Sequence, residues 1–288
     1  MKLPHFLLLV GICTIWGFNF VAAKVGVAEL PPLLFTGLRF LLLAIVLVPF
    51  LKPAEGRMSD VLKIAFFNGP LHFGLMFTGV SLAAASVVAV VAQLMVPFAT
   101  ILSIVMLGEI IHWRRWAGIA MTVGGVMTVS FDPHVFDSIM GVVFAAGGAL
   151  AAAVATVLMR RLTGVGVFQL QSWTAIVAAP ALLLGSVLFE SDQFTAISNA
   201  DAVGWSALLF TAIGASLIGH NVYFWLLQRY EVSLVAPISL LSPILGVVFG
   251  VLILEEPLTA RLIIGATIAF AGVAVLAIRG RQRAETAA

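Results

Sequence analysis

The chain has 288 residues, of which 62% are hydrophobic and only 10% are charged, and its formal net charge is +2. Soluble proteins carry about 25% charged residues, so a globule of this composition could not cover itself with polar surface. The composition excludes a secreted enzyme, a nucleic-acid-binding protein and a disordered chain. The single cysteine, Cys13, excludes an internal disulfide and a cysteine-ligated cluster.

Ten apolar runs follow one another along the chain, and each is long enough to cross a bilayer as a helix of about 20 residues. The loops between them are short, so we expect an all-α integral membrane protein without a soluble domain. The expected limits of the spans are 4–26, 31–50, 63–82, 85–107, 114–130, 138–159, 167–189, 203–227, 233–254 and 261–279.

The basic residues divide unequally between the two sides of this arrangement. With the N-terminus in the cytoplasm, the inner loops and tails contain all but three of the 15 Lys and Arg residues, the exceptions being Lys24, Arg39 and Arg261. Cytoplasmic loops of membrane proteins carry such an excess of positive charge. Both termini are therefore expected in the cytoplasm, which requires an even number of spans.

A weak internal repeat divides the chain into halves 1–131 and 132–288. Pro97 precedes Glu109 by the same number of residues as Pro243 precedes Glu255, and several other positions agree in order. Each half holds five spans, so the second half must be inserted upside down. Inverted repeats are typical of secondary transporters, which open a central site alternately to either side. The alternative is a duplicated bundle without a passage.

Polar side chains inside the spans are few, and each needs a partner or a wet cavity. Some of them share a helix face, and His72 and His220 lie at similar depth in related spans. Interhelical hydrogen bonding by the amides, and core packing of the histidines and tryptophans, stay open as alternatives. The candidate solute-binding residues are Trp16, Asn19, His72, Gln93, Trp173, His220, Tyr223 and Ser239.

Four further residues are candidates for a structural or gating role. Arg39 lies inside the second span, where backbone carbonyls or Asn19 could hold it, and we favour this role over direct contact with solute. Prolines within spans remove backbone hydrogen bonds and loosen the helix, which suits a moving gate, although static bundles also contain kinks. The prolines concerned are Pro97, Pro237 and Pro243.

The sequence holds no Asp or Glu clearly inside a span, and it holds no phosphate-binding loop and no metal-binding motif. We therefore expect no cofactor, no ATP and no metal, and transport that is facilitative or only weakly coupled to protons. A membrane-embedded enzyme would need a nucleophile, a metal site or an acid–base pair, and only His72 with His220 could supply one. A scaffold or channel is a third class, although a channel typically has symmetric subunits.

Three sequence patterns resemble motifs of a known family of membrane proteins. They are Trp16-Gly17-Phe18-Asn19-Phe20, Leu38-Arg39-Phe40, and Pro97 with Gly108-Glu109, repeated as Pro243 with Glu255-Glu256-Pro257. The first resembles the first-span motif of the EamA family in the drug/metabolite transporter superfamily, the second its second-span motif, and the third its fourth and ninth spans. The resemblance covers nearly the whole chain.

This resemblance implies a monomeric exporter of ten helices in the bacterial inner membrane, whose partners are a small solute and the lipid bilayer. It further implies a central cavity lined mainly by spans one to four and six to nine, with spans five and ten at the periphery. The chain looks most like the YddG-type exporters of aromatic and other neutral amino acids, and nucleosides or amphipathic drugs are the alternative solutes. Ala152 and Ala155 stand opposite Trp16 and Asn19, so the halves should line the cavity unequally.

Overall fold

The computed structural model describes residues 1–136 and 138–278, and within them it contains helices and short connections but no strand. Short helices at Pro133–Phe136 and Gln193–Asn199 lie in the connections. The long helices are α1 (Leu3–Glu29), α2 (Pro32–Phe50), α3 (58–82), α4 (Ala85–Leu107), α5 (Trp113–Ser130), α6 (Ile139–Met159), α7 (Val167–Phe189), α8 (Ala202–Leu227), α9 (232–253) and α10 (Ala260–Ile278).

Among the described residues, seven of these helices are long and apolar enough to cross a membrane, namely α1, α2, α4, α6, α7, α8 and α10. The other three are shorter or more polar. Helix α5 begins with Trp113-Arg114-Arg115, and α9 is interrupted at Leu240. Helix α3 begins at Met58, before the expected residue 63, because its first turns are amphipathic and carry Asp60. The order and positions of the helices fit the ten expected spans.

The helices pack in pairs that repeat when the two halves are exchanged. Helix α3 packs against α6, and its counterpart α8 packs against α1. Helix α4 packs against α6, and its counterpart α9 packs against α1. Helices α2 and α7 pack against each other, as do α5 and α10. This pattern is that of two inverted five-helix repeats.

Glycines allow the paired helices to approach closely, as is common in membrane bundles. In the α5–α10 pair, a Cβ atom on Gly125 would overlap the backbone of Gly265 and Ala269. In the α1–α9 pair, a Cβ atom on Gly17 would lie 2.9 Å from the Ser242 carbonyl oxygen. Backbone atoms cannot yield as a flexible side chain can, so these contacts fix the distance between the helices.

We expect Gly125→Val to destabilise the protein by about 1–3 kcal/mol, because the added side chain forces α5 away from α10. Thermal unfolding in detergent measures the effect. Gly124→Ala, one residue away on the same helix, is the matched control, because no heavy atom lies within 4 Å of a Cβ atom at that position. Equal melting temperatures for the two variants would contradict this account of the interface.

The bundle has two ends, which we name after the basic residues that lie there. The Lys24 end holds the last turns of α1 and α3 and the first turns of α2 and α4, and the Arg160 end lies at the opposite face. At the Lys24 end, the Glu190 carboxylate accepts hydrogen bonds from the backbone N–H groups of Leu33 (2.7 Å) and Leu34 (3.0 Å). The end of α7 thereby caps the start of α2, where the partial positive charge of a helix attracts an anion.

Candidate functional site

Two helices lose regular α-helical geometry at corresponding positions of the repeat. Helix α3 contains a π-helical segment at Phe67–Leu71, and α8 contains one at Phe210–Gly219. His72 directly follows the first segment and His220 directly follows the second. Pro70 lies in the first segment and lacks the N–H that regular α-helical bonding requires. Segments of this kind frequently occur at functional sites, so the two histidines mark a candidate site.

An aromatic group lies next to His220. The Trp16 ring centroid lies 5.3 Å from that of His220 and 5.2 Å from that of Tyr223. The Trp16 Nε1–H donates a 3.0 Å hydrogen bond to the Ala215 carbonyl inside the π-helical segment. A Cβ atom on Gly219 would lie 2.6 Å from Trp16 Nε1, so the indole fits only because this residue has no side chain. Helix α1 thus contacts α8 through an indole.

Arg39 lies close to the same part of α8. Its side chain is 1% exposed, and Nη2 donates a 2.5 Å hydrogen bond to the Ser216 hydroxyl. The guanidinium carbon lies 4.5 Å from the ring centroid of Phe73 and 5.2 Å from that of Phe77. Within the described residues, Nε and Nη1 have no hydrogen-bond partner. A serine and aromatic faces hold the guanidinium here, in place of the expected backbone carbonyls or Asn19.

Arg39 links the two histidines. Its guanidinium and the His72 ring both lie about 4.5 Å from the Phe73 ring. The Arg39 side chain also donates to Ser216, one turn before His220. His72 Nδ1 lies 2.8 Å from the Gly148 carbonyl oxygen, and His220 Nδ1 lies 3.1 Å from those of Ala215 and Ser216. In a neutral imidazole whose Nδ1 donates to a carbonyl, Nε2 is left as an acceptor. The structure thus brings several predicted residues together, and we call the following set the central group: Trp16, Arg39, His72, Ser216, His220 and Tyr223.

The other predicted binding residues lie at varied distances from the central group. Tyr223 forms a hydrogen bond with Ser239, which therefore adjoins the group. The Asn19 Oδ1 atom is buried and has no partner among the described residues. Gln93 donates a 3.4 Å bond to the Ala89 carbonyl, within α4. Trp173 donates a 2.8 Å bond to the Lys52 carbonyl, near the Arg160 end of α7, and the structure does not bring it to the central group.

Two of the predicted gating prolines lie beside matching interruptions in α4 and α9. Helix α4 contains a 3-10 turn at Ala92–Leu94, just before the buried Pro97. Helix α9 is interrupted at Leu240, just before the buried Pro243. A proline inside a helix leaves the carbonyl four residues earlier without its donor, which weakens the helix there. Pro237 lies in the segment Val232–Ser239, and its side chain lies outside the described residues.

At the Lys24 end, two charged residues hold the tight connection between α3 and α4. The Lys24 ammonium donates to the carbonyls that end α3, those of Val80 (2.8 Å), Ser81 (3.2 Å) and Ala83 (2.8 Å). The Glu256 carboxylate accepts from the N–H groups that begin α4, those of Ala85 (2.6 Å) and Ser86 (2.8 Å). A cavity of about 210 Å³ lies beside Lys24. We call these five hydrogen bonds the Lys24–Glu256 clamp.

The expected register of the repeat pairs Glu109 with Glu255, and the backbone turns at these positions correct it. Gly108 and Glu255 both adopt left-handed backbone conformations, with φ of 69° and 54°. The next residue in each half, Glu109 or Glu256, donates its N–H back to the preceding helix, to Ser103 or to Gly250. Glu109 is therefore the counterpart of Glu256. The sequence has a Glu after the helix end in both halves, which could have indicated this pairing. The second half has two adjacent glutamates, Glu255 and Glu256, and the spacing from the preceding proline favours the first of them as the counterpart.

The central group combines aromatic rings, imidazoles and a guanidinium from helices of both halves. In residues 1–136 and 138–278, no three His, Cys, Asp or Glu side chains come together as a metal site. The central group offers aromatic faces, imidazole nitrogens and one guanidinium. Together with the inverted helical repeats, these features define a membrane transporter.

The family follows from comparison with known proteins. The model of the EamA-like transporter family matches residues 3–131 and 139–278. The chain belongs to this family of membrane transporters.

Curated relatives resemble the chain over nearly their full length. One named "Probable amino-acid metabolite efflux pump", from Escherichia coli (strain K12), is 27% identical, with 94% of each chain covered. One of the same name from Salmonella typhimurium is 30% identical and covers 91% of this chain and 90% of its own. A solved structure described as "Crystal structure of protein" matches with a TM-score of 0.65 at 21% identity. It covers 98% of this chain and 100% of its own, and it supports the fold alone. Family and relatives indicate an efflux transporter rather than an enzyme.

Proposed function

We propose that this chain exports small neutral or zwitterionic metabolites, with aromatic and other neutral amino acids as the substrate class. The observation that carries the proposal is the contact of Trp16 with His220 and Tyr223 beside a π-helical segment of α8. Indole and phenol rings offer an apolar wall to a ring-bearing side chain, whereas imidazoles offer hydrogen bonds to amino and carboxylate groups. The name of two relatives, "Probable amino-acid metabolite efflux pump", agrees with this substrate class.

We further propose that transport follows alternating access in the bacterial inner membrane, with both termini in the cytoplasm. The excess of basic residues at the Arg160 end supports this orientation. The two ends also differ in packing. Every residue of Ala85–Val91 is buried at the Lys24 end, where this segment packs against α9. At the Arg160 end, the described residues of α9 do not pack closely against Met95–Leu107 of α4. The outer end is thus closed in this conformation.

Counterflow in proteoliposomes tests this function. Purified protein is reconstituted with a high internal concentration of an unlabelled neutral amino acid, and uptake of the labelled form is followed. We expect exchange to be accelerated over protein-free vesicles and to persist when the proton gradient is collapsed. A panel that also contains nucleosides and amphipathic drugs identifies the solute class. No accelerated exchange of any solute in the panel would contradict the proposal.

We expect Trp16→Ala to weaken apparent affinity for aromatic amino acids about tenfold and for alanine much less. The substitution removes an apolar surface, and burial of a solute ring against that surface contributes about 1.5 kcal/mol or more to the binding free energy. Competition in the counterflow assay measures both affinities. Trp116→Ala is the matched control, because Trp116 lies on α5 and is 52% exposed.

Trp16→Phe distinguishes the ring from its hydrogen bond to Ala215, since it keeps an aromatic wall and lacks the N–H. It should stay closer to the unmodified protein for aromatic solutes. Equal losses for large and small solutes would remove Trp16 from the binding wall.

A further inference from the structure

The Lys24–Glu256 clamp has counterparts at the Arg160 end that are bonded differently. Glu109 corresponds to Glu256 through the shared left-handed turn, and Arg160, which directly follows α6, corresponds in the repeat to Lys24, which lies in the last two turns of α1. The Arg160 and Glu109 side chains bind each other at 2.9 Å, and Glu109 also accepts a 3.0 Å bond from Ser103. The Arg160 side chain is 54% exposed and the Glu109 side chain is 30% exposed. Lys24 and Glu256, in contrast, hold the α3–α4 connection and also attract each other.

We propose that these four residues form an ion-pair exchange gate, an inference that rests on the alternating access proposed above. In the conformation described here, Lys24 and Glu256 clamp the α3–α4 connection, while Arg160 and Glu109 pair with each other. In the opposite conformation the roles are exchanged. Arg160 then binds the carbonyls that end α8, Glu109 binds the N–H groups that begin α9 near Val232 and Ser233, and Lys24 pairs with Glu256.

The signs of the charges suit both arrangements. A cation stabilises the C-terminal end of a helix and an anion stabilises the N-terminal end. Lys24 and Arg160 are placed to meet helix ends, and Glu256 and Glu109 are placed to meet helix starts. Each conformation closes one connection and releases its counterpart, and no charge is left without a partner in either. Exchange between the two conformations therefore costs little electrostatic free energy. The packing of the helices, and not the charges, excludes a state in which both ends are clamped.

Accessibility of one reporter cysteine tests the gate. Ala89 is fully buried at the start of α4, beneath the clamp, so Ala89→Cys in a Cys13→Ala background reports opening of the outer end to an impermeant maleimide. Glu256→Gln weakens the closed clamp and should raise the labelling rate from outside about tenfold. Glu109→Gln weakens the opposite clamp and should lower the rate by a similar factor. Glu190→Gln, which alters a capping carboxylate at the same end but outside the gate, should leave it unchanged.

A charge swap separates the gate from a merely structural ion pair. Glu109→Arg combined with Arg160→Glu restores their mutual attraction in the present conformation. It places a cation at the start of α9 and an anion at the end of α8 in the opposite one, and both are unfavourable there. We expect the swapped protein to be folded, to label slowly at Ala89→Cys from outside, and to exchange solute at least tenfold more slowly.

Three outcomes would overturn the inference: normal exchange by the swapped protein, shifts of the same sign for the two Gln variants, or no shift at all. Its failure is distinct from that of the proposed function. An unmodified chain that performs counterflow while the labelling rates do not move would retain the export function and lose the gate. Opposite shifts in a chain that exchanges no solute would support the gate and remove the function.

Discussion

Joining α4 to α9 by a disulfide beneath the Lys24 end is expected to abolish solute exchange. A Cβ atom on Gly246 would lie 3.1 Å from the Ala89 Cβ atom, and disulfides span Cβ atoms about 3.5–4.5 Å apart. Ala89→Cys with Gly246→Cys therefore needs only a small adjustment, which includes displacement of the Phe20 ring. If the outer end must open for release, the bond holds the transporter closed to the outside. Counterflow after oxidation should fall to the level of protein-free vesicles.

Reduction provides the internal control for this cross-link. Addition of a reductant should restore exchange to that of the same variant before oxidation. Each single cysteine variant, in the Cys13→Ala background, should be insensitive to oxidant. A cross-linked protein that still exchanges solute would show that α4 and α9 need not separate here, and it would contradict closure of the outer end by these two helices.

Hydropathy predicted the spans well because the bilayer imposes one length and one polarity on every crossing helix. Where a helix extends beyond the hydrocarbon core into the membrane–water interface, the bilayer no longer fixes its length or polarity. Helix α3 accordingly begins at Met58, on an amphipathic turn that the hydropathy pattern did not reveal. The repeat was also visible, because Gly118 and Gly125 in α5 correspond to Gly265 and Gly272 in α10, where these two helices pack closely. The chain's five-span halves then required the inverted arrangement.

The site was only partly visible because its parts depend on contacts between distant helices. Trp16 and His220 were predicted separately, but their ring contact depends on Gly219, whose importance the sequence does not show. The π-helical segments arise from backbone bonding that no periodicity reveals. Trp173 and Gln169 share a face of α7, and both side chains donate to the Lys52 carbonyl in the connection between α2 and α3, which accounts for their alignment. Its assignment to solute binding stays a prediction.

The roles of charged residues near the ends of the spans were the least visible in the sequence. The sequence indicated that Lys24 lies outside the cytoplasmic loops and that Glu256 belongs to a family motif, but it did not indicate that the two residues together hold the connection between α3 and α4. The absence of Asp and Glu from the interior of the spans indicated that no carboxylate binds a coupling ion there. The structure places Glu256 at a helix start instead, where its charge meets backbone N–H groups. Its partners lie more than half the chain away in sequence, so spacing could not identify them.

The second large effect is expected from truncation of Arg39. Its side chain fills space among Phe40, Phe73 and Phe77 and is 1% exposed. Arg39→Ala leaves a cavity there, and comparable truncations cost about 3–5 kcal/mol. We expect a melting temperature in detergent lower by roughly 10 °C, since 1 kcal/mol shifts proteins of this size by about 2–4 °C.

Arg39→Met separates the volume of this side chain from its charge. Methionine fills much of the same space and suits aromatic neighbours. The Ser216 hydroxyl keeps its 3.0 Å bond to the Thr211 carbonyl, so removal of the guanidinium leaves no orphaned donor there. Replacement of a buried charge by an apolar side chain of similar volume is often neutral or stabilising. We therefore expect Arg39→Met to melt within a few degrees of the unmodified protein and to exchange solute within a few-fold of it. A stable Arg39→Met protein without exchange would instead place the guanidinium in contact with the solute.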